Sequence, residues 1–237
     1  MKLKFLGRDS GFGKEHNSAF FTTKDNDLVI IDCPVSTFQK LKENVPINLN
    51  SYANIYVLIT HTHGDHVGGL GLFAQYVYFI VKKQITIIAP SKTVAQDISI
   101  ILIIEGVDDK WYDLLTADSL DKDWLVSTIL TKHSPQLANK CFGYSLNIED
   151  QNVVYTGDTS TLIPFIPYLT PGSVLYVDTS VYYGIIHLML CELIDDNTYD
   201  MLKDLKLDSI YLMHLDDVNA AKELIENKPL FKIVEVV

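Results

Sequence analysis

Apolar residues in this chain fall mostly in short unbroken runs. In the first third the runs are Lys2–Leu6, Ser18–Thr23, Leu28–Asp32 and Ile55–Thr60, each bounded by Gly, Asn, Asp or Pro. Such punctuation predicts short β-strands. A helical stretch follows His66, then a strand at Ile85–Ala89, and Pro90–Ser91 opens a helix reaching about Glu105. The second half repeats the style. Strands are predicted at Trp124–Leu130, Cys141–Ile148, Val153–Thr156, Val174–Val177 and Ile210–Met213, with helices near Leu188–Leu205 and Asn219–Glu226. Two strand-rich halves flanked by helices predict an α+β arrangement, two sheets face to face with helices outside.

No repeat, low-complexity tract or linker interrupts the 237 residues, so residues 1–237 are read as one domain. Three cysteines without a CxxC pair (Cys33, Cys141 and Cys191) argue against a disulfide framework and are read as small buried hydrophobes. The opening MKLKFLGRDSGFG turns polar where a signal peptide would turn apolar. The apolar run Ile98–Val107 is too short to span a bilayer and carries Glu105. Together these features predict a cytoplasmic protein with no membrane partner. The formal net charge is −11 and Arg8 is the lone arginine. A long polyanion would be repelled by this charge, whereas a small phosphate ester beside bound cations would not.

The decisive segment is His61-Thr62-His63-Gly64-Asp65-His66, directly after the buried-looking strand IYVLIT. Three imidazoles and a carboxylate so close together would each need buried partners if they served structure alone. At a strand end they suit metal coordination, with His61 and His63 facing one ion and Asp65 and His66 another. Histidine with carboxylate suits Zn²⁺, and also Mn²⁺ or Fe²⁺. Three further donors, His133, Asp158 and His214, follow apolar runs in the same way.

The order His-x-His-x-Asp-His…His…Asp…His resembles the metallo-β-lactamase superfamily along the whole chain. The resemblance implies a four-layer αββα sandwich with two divalent metal ions at one edge. It assigns His61, His63 and His133 to the first ion, Asp65, His66 and His214 to the second, and Asp158 to both. Asp32, in LVIIDCP, matches an aspartate that supports the site without ligating. CFGYSL at residues 141–146, YTGDTS, and YVDTS followed by His187-Leu188 resemble the ribonuclease Z branch and its phosphodiesterase relatives. In that branch a carboxylate orients a histidine acting at the scissile phosphate; the matching residues here are Asp178 and His187. The branch has Glu where this chain has Asp178, one methylene shorter. Only 24 residues separate His133 from Asp158, too few for the tRNA-binding arm of ribonuclease Z.

The resemblance therefore implies a metal-dependent phosphodiesterase cleaving a small phosphodiester, such as a cyclic nucleotide, with a metal-bridging hydroxide. The catalytic residues would be Asp65, Asp178 and His187. The alternatives are a tRNA 3′-end endonuclease, a lactonase or thioesterase of the same fold, and a non-catalytic metal-binding protein. The loops Arg8–His16, Trp111–Leu120 and Tyr182–Ile186 are expected to form the rim. Ile98–Val107 and Phe73–Ile80 are apolar on most helix faces, which predicts either core burial or a homodimer interface, the branch being commonly dimeric.

Overall fold

The strands of a computed structural model, which describes residues 2–43 and 47–237, fall into two six-stranded sheets. The first contains β1 (Lys4–Gly7), β2 (Ser18–Thr22), β3 (Leu28–Ile31), β4 (Ile55–Leu58), β5 (Ile85–Ala89) and β6 (Tyr112–Thr116), in that order. The second contains β7 (Leu125–Leu130), β8 (Phe142–Ile148), β9 (Gln151–Tyr155), β10 (Val174–Asp178), β11 (Ser209–Met213) and β12 (Phe231–Ile233), again in sequential order. In each sheet the first three strands pair antiparallel and the remaining pairs are parallel.

Three apolar clusters give the layering. One lies between the sheets, where Phe5, Tyr56, Leu58, Tyr144, Tyr155, Tyr176 and Met213 meet. A second packs the outer face of the first sheet (Ile30, Val57, Ile87) against helices carrying Phe73, Val94 and Leu102. The third packs Leu175, Val177 and Leu212 against Leu190, Leu193 and Leu202. The result is the αββα sandwich expected. Central strands such as β3, β4 and β10 are buried on both faces, which explains their unbroken apolar runs.

Several elements differ from the expectation. Trp111–Leu120 is no rim loop; it supplies β6 and a short 3₁₀ turn at the sheet edge, where alternating exposure of Tyr112–Thr116 weakens the apolar signal. The helix read across Leu188–Leu205 is two, Leu190–Ile194 and Asp196–Asp204, broken at Asp195, whose carboxylate caps Asn197 N–H at 3.1 Å. With Leu190 and Leu193 turned inward, Cys191 falls on the outer face and is exposed, so only Cys33 and Cys141 are buried. The apolar helices split between both readings. Phe73, Val77, Ile98 and Leu102 enter the core, while Leu72, Phe79, Ile80, Ile100, Ile103 and Ile104 remain exposed. No helix among the described residues is long and apolar enough to cross a membrane.

Candidate metal centre

Every predicted donor sits just beyond the C-terminal end of a strand, on one edge of the sandwich. Thr60 to His66 follow β4, His133 follows β7, Asp158 follows β9, Asp178 ends β10 and His214 follows β11. The ligand-type atoms of His61, His63 and His133 form one cluster, and those of Asp65, His66, Asp158 and His214 a second, each within 4.8 Å. Six of the seven histidines gather here, since His187 is also present; His16 stands apart, beside Ser36.

In the first cluster His63 Nδ1 lies 3.0 Å from His61 Nε2 and 3.2 Å from His133 Nε2. In the second, His66 Nε2 and His214 Nε2 each stand 3.4 Å from Asp65 Oδ2, and 3.3 and 3.4 Å from Asp158 Oδ2. The same Asp158 oxygen is 3.8 Å from His61 Nε2 and 3.6 Å from His133 Nε2, so it lies between the clusters. Donors placed tetrahedrally about 2.0–2.1 Å from an ion stand about 3.3–3.4 Å apart. The spacing of these nitrogens and oxygens therefore fits a divalent cation in each cluster. His66 Nε2 and Asp158 Oδ1 are also buried with no hydrogen-bond partner among the described residues. Such atoms are costly unless a ligand meets them.

Each donor is aimed by a second contact. Asp32 is wholly buried and takes Thr60 N–H at 2.8 Å, Thr60 Oγ1 at 2.7 Å and His66 Nδ1 at 2.8 Å, which turns His66 Nε2 toward Asp158. Thr60 Oγ1 also meets His61 Nδ1 at 3.0 Å. His133 Nδ1 donates to the Ile186 carbonyl at 2.8 Å. Asp178, also wholly buried, accepts Thr159 N–H and His187 Nδ1, both at 2.8 Å, on one oxygen. Its other oxygen faces His214 Nδ1 at 3.3 Å, an ion-pair distance without good hydrogen-bond geometry. The shorter aspartate thus reaches the histidine expected of it. Thr60, Thr159 and the Ile186 carbonyl were not legible as site groups, because hydroxyls and backbone oxygens carry no spacing signal.

The electrostatics divide the clusters. Burial, with His66 next in weight, holds His61 well below the usual imidazole range, and burial lowers His63 and His133 as well. Burial also opposes charge on His66 and His214. Burial is the largest single influence, but the carboxylates together outweigh it, Asp158 with Asp32 at His66 and Asp158 with Asp178 and Asp65 at His214, raising His66 well above its usual value and His214 to about 10. His187 is likewise raised, since Asp178 more than offsets its burial.

A cavity of about 650 Å³ opens over both clusters. Ser10, Gly11 and Phe12 line one side and Tyr182 to His187 another, with Asp216 nearby. Neither lysine nor arginine lines it; Arg8 instead donates to the Val234 carbonyl at 2.8 Å. The loop of residues 8–16 stays close because Ser10 N–H donates to the Leu215 carbonyl at 3.0 Å and Gly11 lies against Asp65, where a β-carbon would come within 2.8 Å of Oδ2.

Comparison with known proteins agrees with this fold. The family model described as anti-Pycsar protein Apyc1 matches residues 1–100. An anti-Pycsar protein Apyc1 from Bacillus phage BSP38 is 27% identical over 91% of this chain and 89% of its own. A ribonuclease Z from Methanococcus maripaludis is 29% identical over 40% of this chain and 30% of its own. Among solved structures, the metallo-beta-lactamase fold protein YhfI from Bacillus subtilis superposes with a TM-score of 0.75 at 17% identity, over 99% of this chain and 95% of that one. With its αββα layers and these likenesses, the chain has the metallo-β-lactamase fold, and it is similar in sequence to the anti-Pycsar proteins Apyc1 and, over a shorter stretch, to a ribonuclease Z.

Proposed function

We propose that this protein is a metal-dependent phosphodiesterase acting on a small phosphodiester, a cyclic nucleotide or similar. His61, His63 and His133 would hold one divalent cation and Asp65, His66 and His214 the other, with Asp158 reaching both; the donor set favours zinc, with manganese or iron(II) as alternatives. Cations bound there supply Lewis acidity and lower the pKa of water. Asp32, Asp178 and the Ile186 carbonyl fix the imidazole orientations on which coordination depends. The observation that carries the phosphodiester reading is the pairing of His187 with Asp178 at 2.8 Å beside the donor clusters. Asp178 takes Nδ1 and favours the charged imidazole, so Nε2 can give a proton to the departing ester oxygen.

Size and charge support a small substrate. Between His133 and Asp158 the chain folds as the β8–β9 hairpin (Phe142–Ile148, Gln151–Tyr155), leaving no length for a tRNA-binding arm. Those features disfavour the endonuclease alternative. Lactone or thioester cleavage uses the same donors but gives His187 no phosphate to serve. The relatives' name adds the reading that this chain, too, opposes Pycsar, from the host cytoplasm. The exposed Ile100, Ile103 and Ile104, and the exposed Leu72, Phe79 and Ile80, support a homodimer joined through these helices; a monomer mass at micromolar concentration would reject that.

The test is a panel of cyclic nucleotides, pre-tRNA, bis-(p-nitrophenyl) phosphate, a lactone and a thioester, each with Zn²⁺ and Mn²⁺. Turnover of cyclic nucleotides above pre-tRNA and both carbon esters is expected. Preference for the lactone or thioester would overturn the phosphodiester reading.

A further inference from the structure

Asp216 presents a puzzle. Its carboxylate lines a cavity proposed to receive an anion, which by charge alone is unfavourable. Its contacts resolve the puzzle. One oxygen accepts Val181 N–H at 2.7 Å and Asp217 N–H at 3.0 Å. The other accepts Ser180 Oγ–H at 2.7 Å and Tyr182 N–H at 2.9 Å. Three of the four donors are consecutive residues at the foot of one loop.

That loop leaves and returns at the same point. Ser180 N–H donates to the Leu188 carbonyl at 2.9 Å, and Leu190 N–H to the Ser180 carbonyl at 2.8 Å. Ser180 Oγ, besides donating to Asp216, accepts Tyr183 N–H at 2.7 Å. Between these anchors Tyr182, Tyr183 and Ile185 are 60, 69 and 95% exposed, so apolar burial does little to hold the segment. A segment with few buried contacts keeps its shape through its polar anchors. Yet two functional contacts depend on that shape: the Ile186 carbonyl aims His133, and His187 meets Asp178.

We propose that Asp216 is a positioning residue: it clamps the Ser180–Leu190 loop so that Ile186 orients His133, His187 stays on Asp178, and Tyr182, Tyr183 and Ile185 stand at the mouth where the organic group of the substrate enters. The clamp rests on geometry alone. Its effect on turnover rests on the phosphodiesterase reading. A carboxylate is required because three loop donors converge on it. An amide would turn its own N–H₂ toward at least one of them, leaving donor against donor.

The experiment compares Asp216→Ala, Asp216→Asn and Asp216→Glu in the full-length, metal-loaded protein. Chymotrypsin cleavage after Tyr182 or Tyr183 reads loop release without any substrate. In Asp216→Ala it should accelerate at least about tenfold while global thermal unfolding changes little. Affinity for the cation held by His133 should fall about 10- to 100-fold, the usual effect of losing an orienting partner. kcat/KM should fall more on a cyclic nucleotide than on a p-nitrophenyl diester, the selectivity expected when a proton donor is misplaced. Asp216→Glu, which keeps every acceptor, should recover part of each loss, and Asp216→Asn should not. Should Asp216→Ala fail to fold, Asp216→Asn carries the same readings. Cleavage and metal affinity within twofold of the parent would overturn the clamp. Faster cleavage with unchanged metal affinity and unchanged kcat/KM would overturn the positioning role. If the parent turns over no phosphodiester, the function reading fails, while proteolysis and metal affinity still decide the clamp.

Discussion

Replacing Asp178 by asparagine should separate the two jobs of one buried carboxylate. The side chain is wholly buried, takes Thr159 N–H and His187 Nδ1 at 2.8 Å on Oδ2, and faces His214 Nδ1 at 3.3 Å with Oδ1. Both imidazoles must present Nδ1–H to an acceptor if their Nε2 atoms are to face the cavity and the cation. Asparagine is nearly isosteric but offers one acceptor oxygen and one N–H₂ group. With the amide oxygen toward Thr159 and His187, the N–H₂ meets His214 Nδ1. That nitrogen must then accept, its proton moves to Nε2, and Nε2 can no longer ligate. With the amide flipped, His214 is served, but Thr159 N–H and His187 Nδ1 lose their acceptor. The first orientation keeps two of three contacts and should prevail. The loss is then of an orienting partner to a ligand, about 10- to 100-fold in affinity for the cation held by His214, or about 1.4–2.7 kcal/mol. Weakening charge-assisted bonds should cost a further ~1.5–3 kcal/mol of folding stability. Competition with a chromophoric chelator measures the affinity of each cation, and urea denaturation measures the stability. His133 supplies the internal control, since its Nδ1 is held by the Ile186 carbonyl and not by Asp178. Affinity within twofold of the parent at both cations would refute the lone-pair accounting; equal loss at both would show that Asp178 acts on the whole edge.

Metal loading should release protons at neutral pH, because His66 is raised well above its usual value and His214 to about 10 in the metal-free protein and both must deprotonate Nε2 to ligate. Calorimetry in buffers of different ionisation enthalpy reads this directly, and buffer-independent heats would contradict it. The sign for stability follows from the same shifts: raised histidines stabilise the metal-free fold fully below about pH 6.5 and lose that contribution as the pH climbs toward about 10. Metal-free melting temperature should therefore fall over that window while metal affinity rises. His187→Ala should keep both cations, with loss of activity about 10²–10⁴-fold on a nucleotide diester and much less on a p-nitrophenyl ester; equal losses would make it a phosphate-positioning group. Gly157→Ala should destabilise the fold by about 2–4 kcal/mol, since Gly157 has φ +59° and a β-carbon there would lie 2.5 Å from the Phe142 carbonyl oxygen. A chemical denaturation curve unchanged from the parent would show that the β9 end relaxes freely.

What was legible in the sequence was what is local or periodic. Short apolar runs marked most strands, and their C-terminal ends marked the donors, because strands that run in the same direction, as β7 and β9 to β12 do, end at the same edge of the sheet. The helix Val35–Lys42 was missed. Its N-cap Pro34 makes no side-chain cap, and only Thr37, Phe38 and Leu41 are buried along its length. β12 has three residues, too few for a period to show. The rim was half legible: residues 8–16 and 182–186 do approach the cavity, whereas Trp111–Leu120 reads as an equally polar loop and pairs with β5 instead. Asp216 lies two residues past His214 in an acidic chain and carries no spacing signal of its own; its contacts run to a loop 34–36 residues away in sequence.

At the site, backbone conformation and side-chain placement are coupled. Three strand ends enter the metal edge in the left-handed conformation: Asp32 at φ +61°, Gly157 at φ +59° and His214 at φ +56°. Only one is glycine, the residue that adopts this region without penalty. For the other two the conformation costs about 1–2 kcal/mol each, and what offsets it is the side chain itself. Asp32 gains three buried hydrogen-bonding contacts across Thr60 and His66. His214 reaches Asp65 and Asp158 with one nitrogen and faces Asp178 with the other. Glycine at either position would relax the turn and leave the partners of the lost side chain unpaired, at a cost of about 1–3 kcal/mol for each buried group. The left-handed turn and the donor are thus one feature. The turn aims a side chain inward that an extended residue would carry past the site, and the contacts of that side chain keep the turn from relaxing.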